Sequence, residues 1–282
     1  MEQGKIVWVY DLEQFDNFHS AIFVDRDNKK NHRVFVIHSS RNDIDAYYDF
    51  LNEEVSGLIG FNNINYDYPL IHYFMQLVSS HRSVKASLNV SRIVDLLQRK
   101  SQEIIRAEFS AIPDWETMIP QLDLFRIHHF DNKAKRTSLK AVQIAMRYHN
   151  VQDMPFHEDH WVTDDEVIDI LNYNMNDVQS TREFYFLTQD QVDLRKLLSQ
   201  TYGVNLRNAN DPKIGQEIFG REIAKAKGIH YNRLKDMRTY RRHINLGDCL
   251  LPYIDFNNKE FQTIHQFFKE TTIESTYKAF EK

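Results

Sequence analysis

The stretch "VWVYDLEQF", residues 7–15, decides the fold. The apolar run from Ile6 to Tyr10 reads as a strand bound for burial. Asp11 and Glu13 follow at its far end, two positions apart. Side chains at i and i+2 of a strand point the same way. The two carboxylates therefore converge on one spot instead of dividing between core and solvent. Like charges brought together disfavour ionisation unless a cation is shared between them.

Outward from this stretch, residues 5–11, 18–25 and 32–38 are rich in Val, Ile and Phe and are separated by polar segments, the pattern of an antiparallel meander. "RNDIDAYYDFLNEE" predicts a helix with Asn42 as cap, and "SGLIGFN" a short buried strand. "DYPLIHYFMQLV" opens a helix, with Asp67 at its start and Pro69 tolerated in the first turn. Residues 80–118 give helix plus loop. "QLDLF" reads as a strand, and "TSLKAVQIAMRY" as a helix capped by Thr137 or Ser138. Residues 163–190 read as one long helix with Thr163 as cap and an acidic first turn. Strands followed by mixed elements predict an α/β domain over residues 1–204. "NLRNANDP" (205–212) reads as a linker into a smaller, mostly helical segment, 205–282.

The composition narrows the classes. With 42% hydrophobic and 27% charged residues, the 282-residue chain is of ordinary globular type. A single cysteine, Cys249, excludes an intramolecular disulfide and a cysteine-based zinc cluster. No apolar signal core or membrane-length stretch is present, so the expectation is a non-membrane, cytoplasmic protein. A net charge of −5 does not suggest a general nucleic-acid binder, although acidic metal sites can offset a basic groove.

Two further acids share the pattern of the first pair. Asp67 stands at a strand-to-helix corner, where a carboxylate can be aimed at a neighbouring strand end. Asp177 lies four residues after Tyr173, so both share a helical face. Val167, Ile170, Leu171 and Val178 turn that face inward. No Lys or Arg occupies a nearby inward position in the sequence. A divalent cation shared by Asp11, Glu13, Asp67 and Asp177 resolves the clustering, and oxygen-only ligands favour Mg²⁺ or Mn²⁺.

These residues carry a resemblance. "DLE" (11–13), "NNINYD" (62–67) and "YNMND" (173–177) match, in order, the three motifs of the 3′–5′ exonuclease domain of bacteriophage family-B-like DNA polymerases. That domain belongs to the DEDD exonuclease superfamily, and Tyr173 in place of a histidine resembles its tyrosine subclass. The similarity covers roughly residues 5–200. It implies a ribonuclease-H-like mixed sheet flanked by helices. It also implies two metal ions held by the four carboxylates, with the Tyr173 hydroxyl positioning the attacking water. Asn63 and Tyr66 match positions that contact the single-stranded DNA 3′ end. Gln14 stands where family members often carry a strand-contacting threonine. The family's lysine between the second and third motifs is missing from "PFHEDHWV" (155–162), which leaves His157, His160 or a group elsewhere for that role.

The implied function is a proofreading-type 3′–5′ exodeoxyribonuclease whose partners are a DNA 3′ end and a polymerase domain or other replication proteins. For a phage protein the implied location is the host cytoplasm. The alternatives are an exoribonuclease of the same superfamily and a non-catalytic DNA- or protein-binding module derived from an exonuclease domain. "DPKIGQEIF" and "GDCLLPYIDF" loosely resemble the stretch joining exonuclease to polymerase, while polymerase palm motifs are missing. Asp95 and Asp123 read as structural or solvated. "HEDH" (157–160) lacks metalloprotease spacing, and "HH" (128–129) reads as loop. "KAKR" (133–136) and "RTYRRH" (238–243) are basic stretches able to track phosphates.

Overall fold

Three strands in succession form the meander that the sequence predicts: β1 (Ile6–Phe15), β2 (Phe18–Asp25) and β3 (His32–His38). The structure is a computed structural model describing residues 4–83, 89–107, 111–132, 134, 137–157, 159–237 and 242–274. A two-residue strand β4 (Arg41–Asn42) extends the meander before helix α1 (Ile44–Glu53). Asn42 thus belongs to the sheet. Its Oδ1 still accepts the Ile44 backbone N–H, at 3.2 Å. The carboxylate of Asp43, next to the helix, is taken by the Val36 N–H and Arg41.

β5 (Val55–Gly60) and β6 (Gln121–Asp123) complete the sheet in the order β4-β3-β2-β1-β5-β6. The pairs up to β1 are antiparallel, and β1–β5 and β5–β6 are parallel. That order and those senses are those of a ribonuclease-H-like sheet. Between β5 and β6 lie α2 (Asp67–Ser83) and α3 (Val90–Arg106). Further along the chain come α4 (Leu124–Ile127), α5 (Leu139–Ala145), α6 (Val167–Leu187), α7 (Gln189–Tyr202) and α8 (Asp211–Ala226).

Alternation along β1 sorts the core into two layers. Trp8, Tyr10 and Leu12 pack with Phe50, Leu70, Phe74 and Leu97 of α1, α2 and α3. On the other face Val9 packs with Ile59, Leu122 and Val178, and Phe15 with Phe18, Val162 and Ile170. Asp11 and Glu13 fall between those last two clusters, on the face that α6 covers.

Several boundaries differ from expectation for local reasons. The strand "QLDLF" stops at Asp123, whose Oδ1 accepts the Phe125 N–H at 2.9 Å and starts α4. Ser138, not Thr137, caps α5. Ahead of α6, Glu166 Oε2 reaches back to the Thr163 N–H and hydroxyl, a turn that precedes the helix proper. The long helix ends at Leu187, where the Thr188 hydroxyl turns back onto the Phe184 carbonyl.

The segment 205–212 is not a free linker. Asn208 accepts the Asp123 N–H at 2.8 Å and donates to the Gln121 carbonyl at 2.9 Å, lining the outer edge of β6 as a strand would. Buried Arg195 donates to the carbonyls of Ala209, Ile127 and Gln191 and to Asp211. The first compact unit accordingly runs on to Ile218, past the expected boundary at 204/205, and the second begins at Phe219. The second unit contains β7 (Ile244–Asn245), α9 (Lys259–Glu270) and β8 (Thr272–Ile273), with β7 and β8 paired antiparallel. Among the described residues, no helix is long and apolar enough to cross a membrane.

Candidate active site

β1 is longer than its parallel partner. Its pairing with β5 ends at Val9↔Ile59, whereas its antiparallel pairing with β2 continues to Phe15↔Phe18. Beyond Val9 one edge of β1 therefore has no strand beside it among the described residues. The Asp67 carboxylate, in the first turn of α2, occupies this notch and accepts a backbone hydrogen bond from Leu12.

The turn that delivers Asp67 is tightly built. Asn62 is left-handed at φ 64°, and a Cβ on Gly60 would meet Asn63 Cβ at 2.7 Å, so only glycine fits there. Asp123 accepts the N–H groups of Asn62 and Ile64, at 2.9 and 3.2 Å. Burial raises its pKa to about 6. Its role is structural, as is that of Asp95, which pairs with Arg99 on the outside of α3.

α6 brings the third group. The inward stripe predicted from Ile170 and Val178 is buried, and Tyr173, Asn174 and Asp177 lie along it. Asn174 is fully buried and its amide donates to Asp11 Oδ2 at 3.4 Å; it also bonds Glu13. The Tyr173 hydroxyl bonds Asp177. Asp177 Oδ1 accepts a second bond, 2.8 Å, from Gln143 on α5.

The structure thus brings Asp11, Glu13, Asp67, Tyr173 and Asp177 together. Burial, then the charges of Asp67, Glu13 and Asp177, hold the Asp11 carboxyl well above the usual range. Glu13 is raised by burial and by Asp177 and Asp67. Burial brings Asp67 to about 7, and it raises Asp177 against the opposing bonds from Gln143 and Tyr173. Burial and the nearby carboxylates push the Tyr173 phenol upward, so it stays protonated at neutral pH. No described Lys, Arg or His pairs with any of the four carboxylates. Among the described residues, no three acidic, imidazole or thiol groups are drawn up to the spacing of one ion's ligands. The donor chemistry itself, four carboxylates with supporting amides and no sulfur or imidazole, fits a hard divalent cation.

The expected strand contacts are placed unequally. Tyr66 borders the carboxylates, half-buried, with its hydroxyl 2.8 Å from Ser101 Oγ on α3. Asn63 does not face outward: it is 1% exposed, its amide donates to Gln121 at 2.8 Å, and its carbonyl accepts the Tyr68 N–H. As placed it sets the start of α2 and is not available to a strand end. Gln14 is spent on the β1–β2 hairpin, donating to the Phe15 carbonyl and contacting His19 Nδ1. His160 stacks on Phe156 and bonds Glu166, and His157 is exposed beside Asp159. Neither is among the groups acting on the carboxylates. "KAKR" and "RTYRRH" fall mainly outside the described residues.

Two site residues escape the motif reading. Asn174 has a signal in the sequence, since it sits on the inward stripe one residue past Tyr173. Gln143 has none: it meets Asp177 only through the packing of α5 on α6. Comparison with family models, with curated proteins and with solved structures gives no match.

Proposed function

We propose that this chain is a metal-dependent 3′–5′ exodeoxyribonuclease acting on single-stranded or mismatched 3′ ends. The observation that carries the reading is the convergence of four carboxylates, Asp67 buried and Asp11, Glu13 and Asp177 half-buried, from β1, α2 and α6, with no cationic side chain among the described residues to balance them. Asp11, Glu13, Asp67 and Asp177 would hold two Mg²⁺ or Mn²⁺ ions, which when bound lower the pKa of water and neutralise charge on the entering and leaving oxygens.

The chain's own groups do the rest. Tyr173, kept as a phenol, serves as a hydrogen-bond donor and not as a base, and orients the water beside Asp177. Asn174 fixes Asp11, and Gln143 fixes Asp177 and favours its ionised form. Water attacks the terminal phosphorus, the bond to the 3′ oxygen breaks, and that oxygen takes a proton. The products are a nucleoside 5′-monophosphate and a strand one nucleotide shorter, with a free 3′ hydroxyl. A polymerase domain or another replication protein would present such an end.

The test is incubation of 3′- and 5′-labelled DNA and RNA of one sequence, with and without Mg²⁺. Metal-dependent loss of the 3′ label from DNA is expected. Cleavage of RNA alone would reassign the chain to the exoribonucleases, because only RNA offers the 2′-OH. No cleavage and no Mn²⁺ binding would leave a non-catalytic module.

A further inference from the structure

Past Glu13, the β1–β2 hairpin borders a groove of about 680 Å³. One wall is α3, through Val94 and Gln98; the other is the segment 161–164, through Trp161. Trp161 is 68% exposed, an unusual place for so large an apolar ring. Its backbone is nonetheless fixed. Asn17 donates to the Val162 carbonyl at 2.8 Å and accepts the Val162 N–H at 2.9 Å, and Val162 is buried beside Phe15 and Ile170. The segment that carries the ring is thus held in place, and the ring itself is open to solvent.

A second feature points to a ligand. Gln98 donates its amide N–H to Asp16 at 2.8 Å, while its Oε1 is buried without a partner. An orphaned acceptor in a groove calls for a donor from outside the chain. The groove also carries Asp16, Asp95 and Asp164, and its Arg99 is already paired with Asp95, so it does not favour phosphate. A neutral aromatic ring bearing an N–H suits it, and every nucleobase offers an N–H donor on its pairing edge.

The groove adjoins the carboxylates by two routes. Asp16 is three residues beyond Glu13, roughly 10 Å at 3.3 Å per residue. On α3, Ser101 follows Gln98 by three and holds Tyr66, which borders Asp11 and Glu13. At a stacked rise of about 3.4 Å per nucleotide, 10 Å spans about three nucleotides. Resting on the nuclease reading above, we infer that Trp161 and Gln98 form a sequence-tolerant base subsite for about the third nucleotide from the 3′ end, Trp161 stacking on the base and Gln98 Oε1 accepting its N–H.

The test uses the full chain with Asp11→Asn to block turnover and a fluorescent six-nucleotide DNA titrated by anisotropy. Trp161→Ala is expected to weaken binding about tenfold, or about 1.4 kcal/mol. An abasic residue is placed in turn at the second, third and fourth nucleotide. At the third it should cost as much, and Trp161→Ala should then add nothing. Gln98→Leu should cost several-fold on the intact oligonucleotide. With Asp11 restored, hydrolysis of a dinucleotide, too short to reach the groove, should be the same with or without Trp161→Ala. Equal affinities for all variants and all abasic positions, while the parent chain still hydrolyses DNA, would overturn the subsite and leave the nuclease reading standing. Trp161-dependent binding without any hydrolysis would do the reverse.

Discussion

Gln143 and Asp177 are 34 residues apart in sequence and 2.8 Å apart in space, with the amide of one donating to Oδ1 of the other. The same Gln143 nitrogen lies 2.8 Å from Ser180 Oγ, so the amide is held from behind. A buried donor of this kind favours the ionised carboxylate. Gln143→Met keeps the volume and removes the bond, and the pKa of Asp177 should rise. The acid limb of the kcat–pH profile is then expected to move to higher pH. Activity at pH 7 should fall about tenfold and recover in part by pH 9. An unshifted profile would show that Gln143 merely fills space.

The carboxylate cluster fixes the sign of the pH dependence without metal. The folded-state pKa values of Asp11, Glu13, Asp67 and Asp177 are raised. The stability they contribute is full below the unfolded value, near 4, and is lost as pH rises through the folded value, about 7 for Asp67. In chelator, Tm is expected to fall by roughly 5–10 °C between pH 5 and pH 8. Saturating Mn²⁺ at pH 8 should recover it, since about 2.7 kcal/mol follows at a hundred times Kd. A Tm that is flat across this range, with or without Mn²⁺, would mean the charges do not meet.

Tyr173→Phe removes one hydroxyl and keeps the ring. Under single-turnover conditions the rate is expected to drop roughly 10²-fold, the lower end for a positioning group. Oligonucleotide affinity should hardly change, because the lost bond is to Asp177 and water. An unaltered rate would return Tyr173 to packing alone.

Arg195 is almost fully buried, with Asp211 and three main-chain carbonyls as acceptors. Arg195→Met should destabilise the first unit by about 3 kcal/mol or more, because those acceptors lose their donor inside the protein. Urea denaturation reads this directly. A loss under 1 kcal/mol would mean that segment 205–212 is anchored by Asn208 instead.

The sequence made the sheet legible where periodicity was strong. The ends of β2 and β3 fall where the Val, Ile and Phe runs end, whereas β1, expected to close at residue 11, runs on through its two acids to Phe15. The four acids were legible because each interrupts an apolar pattern. What stayed hidden depends on distant contacts. Asn63 looks like a surface turn residue until Gln121 is seen to hold its amide. The Asn-rich run at 205–212 has the composition of a linker, yet its amides satisfy the bare edge of β6. Side-chain amides adapt to whatever backbone they meet, so composition alone does not report their partners.

The step where β1 outruns β5 divides the candidate site into an invariant part and an adjustable one. Asp11 and Glu13 share a strand hydrogen-bonded along its length to β2, so their mutual spacing is as stiff as the sheet. Asp67 is tied to that same strand through Leu12. Asp177 and Tyr173 instead ride together on α6. Outward breathing of that helix would carry both away while leaving three acids in place. Opening and assembly of the site then reduce to one coordinate, the distance between α6 and β1. Amide exchange offers a gauge of it: slow exchange at Leu12 set against faster exchange along residues 170–178 would show α6 moving first, and equal protection would show that the two parts open only as one.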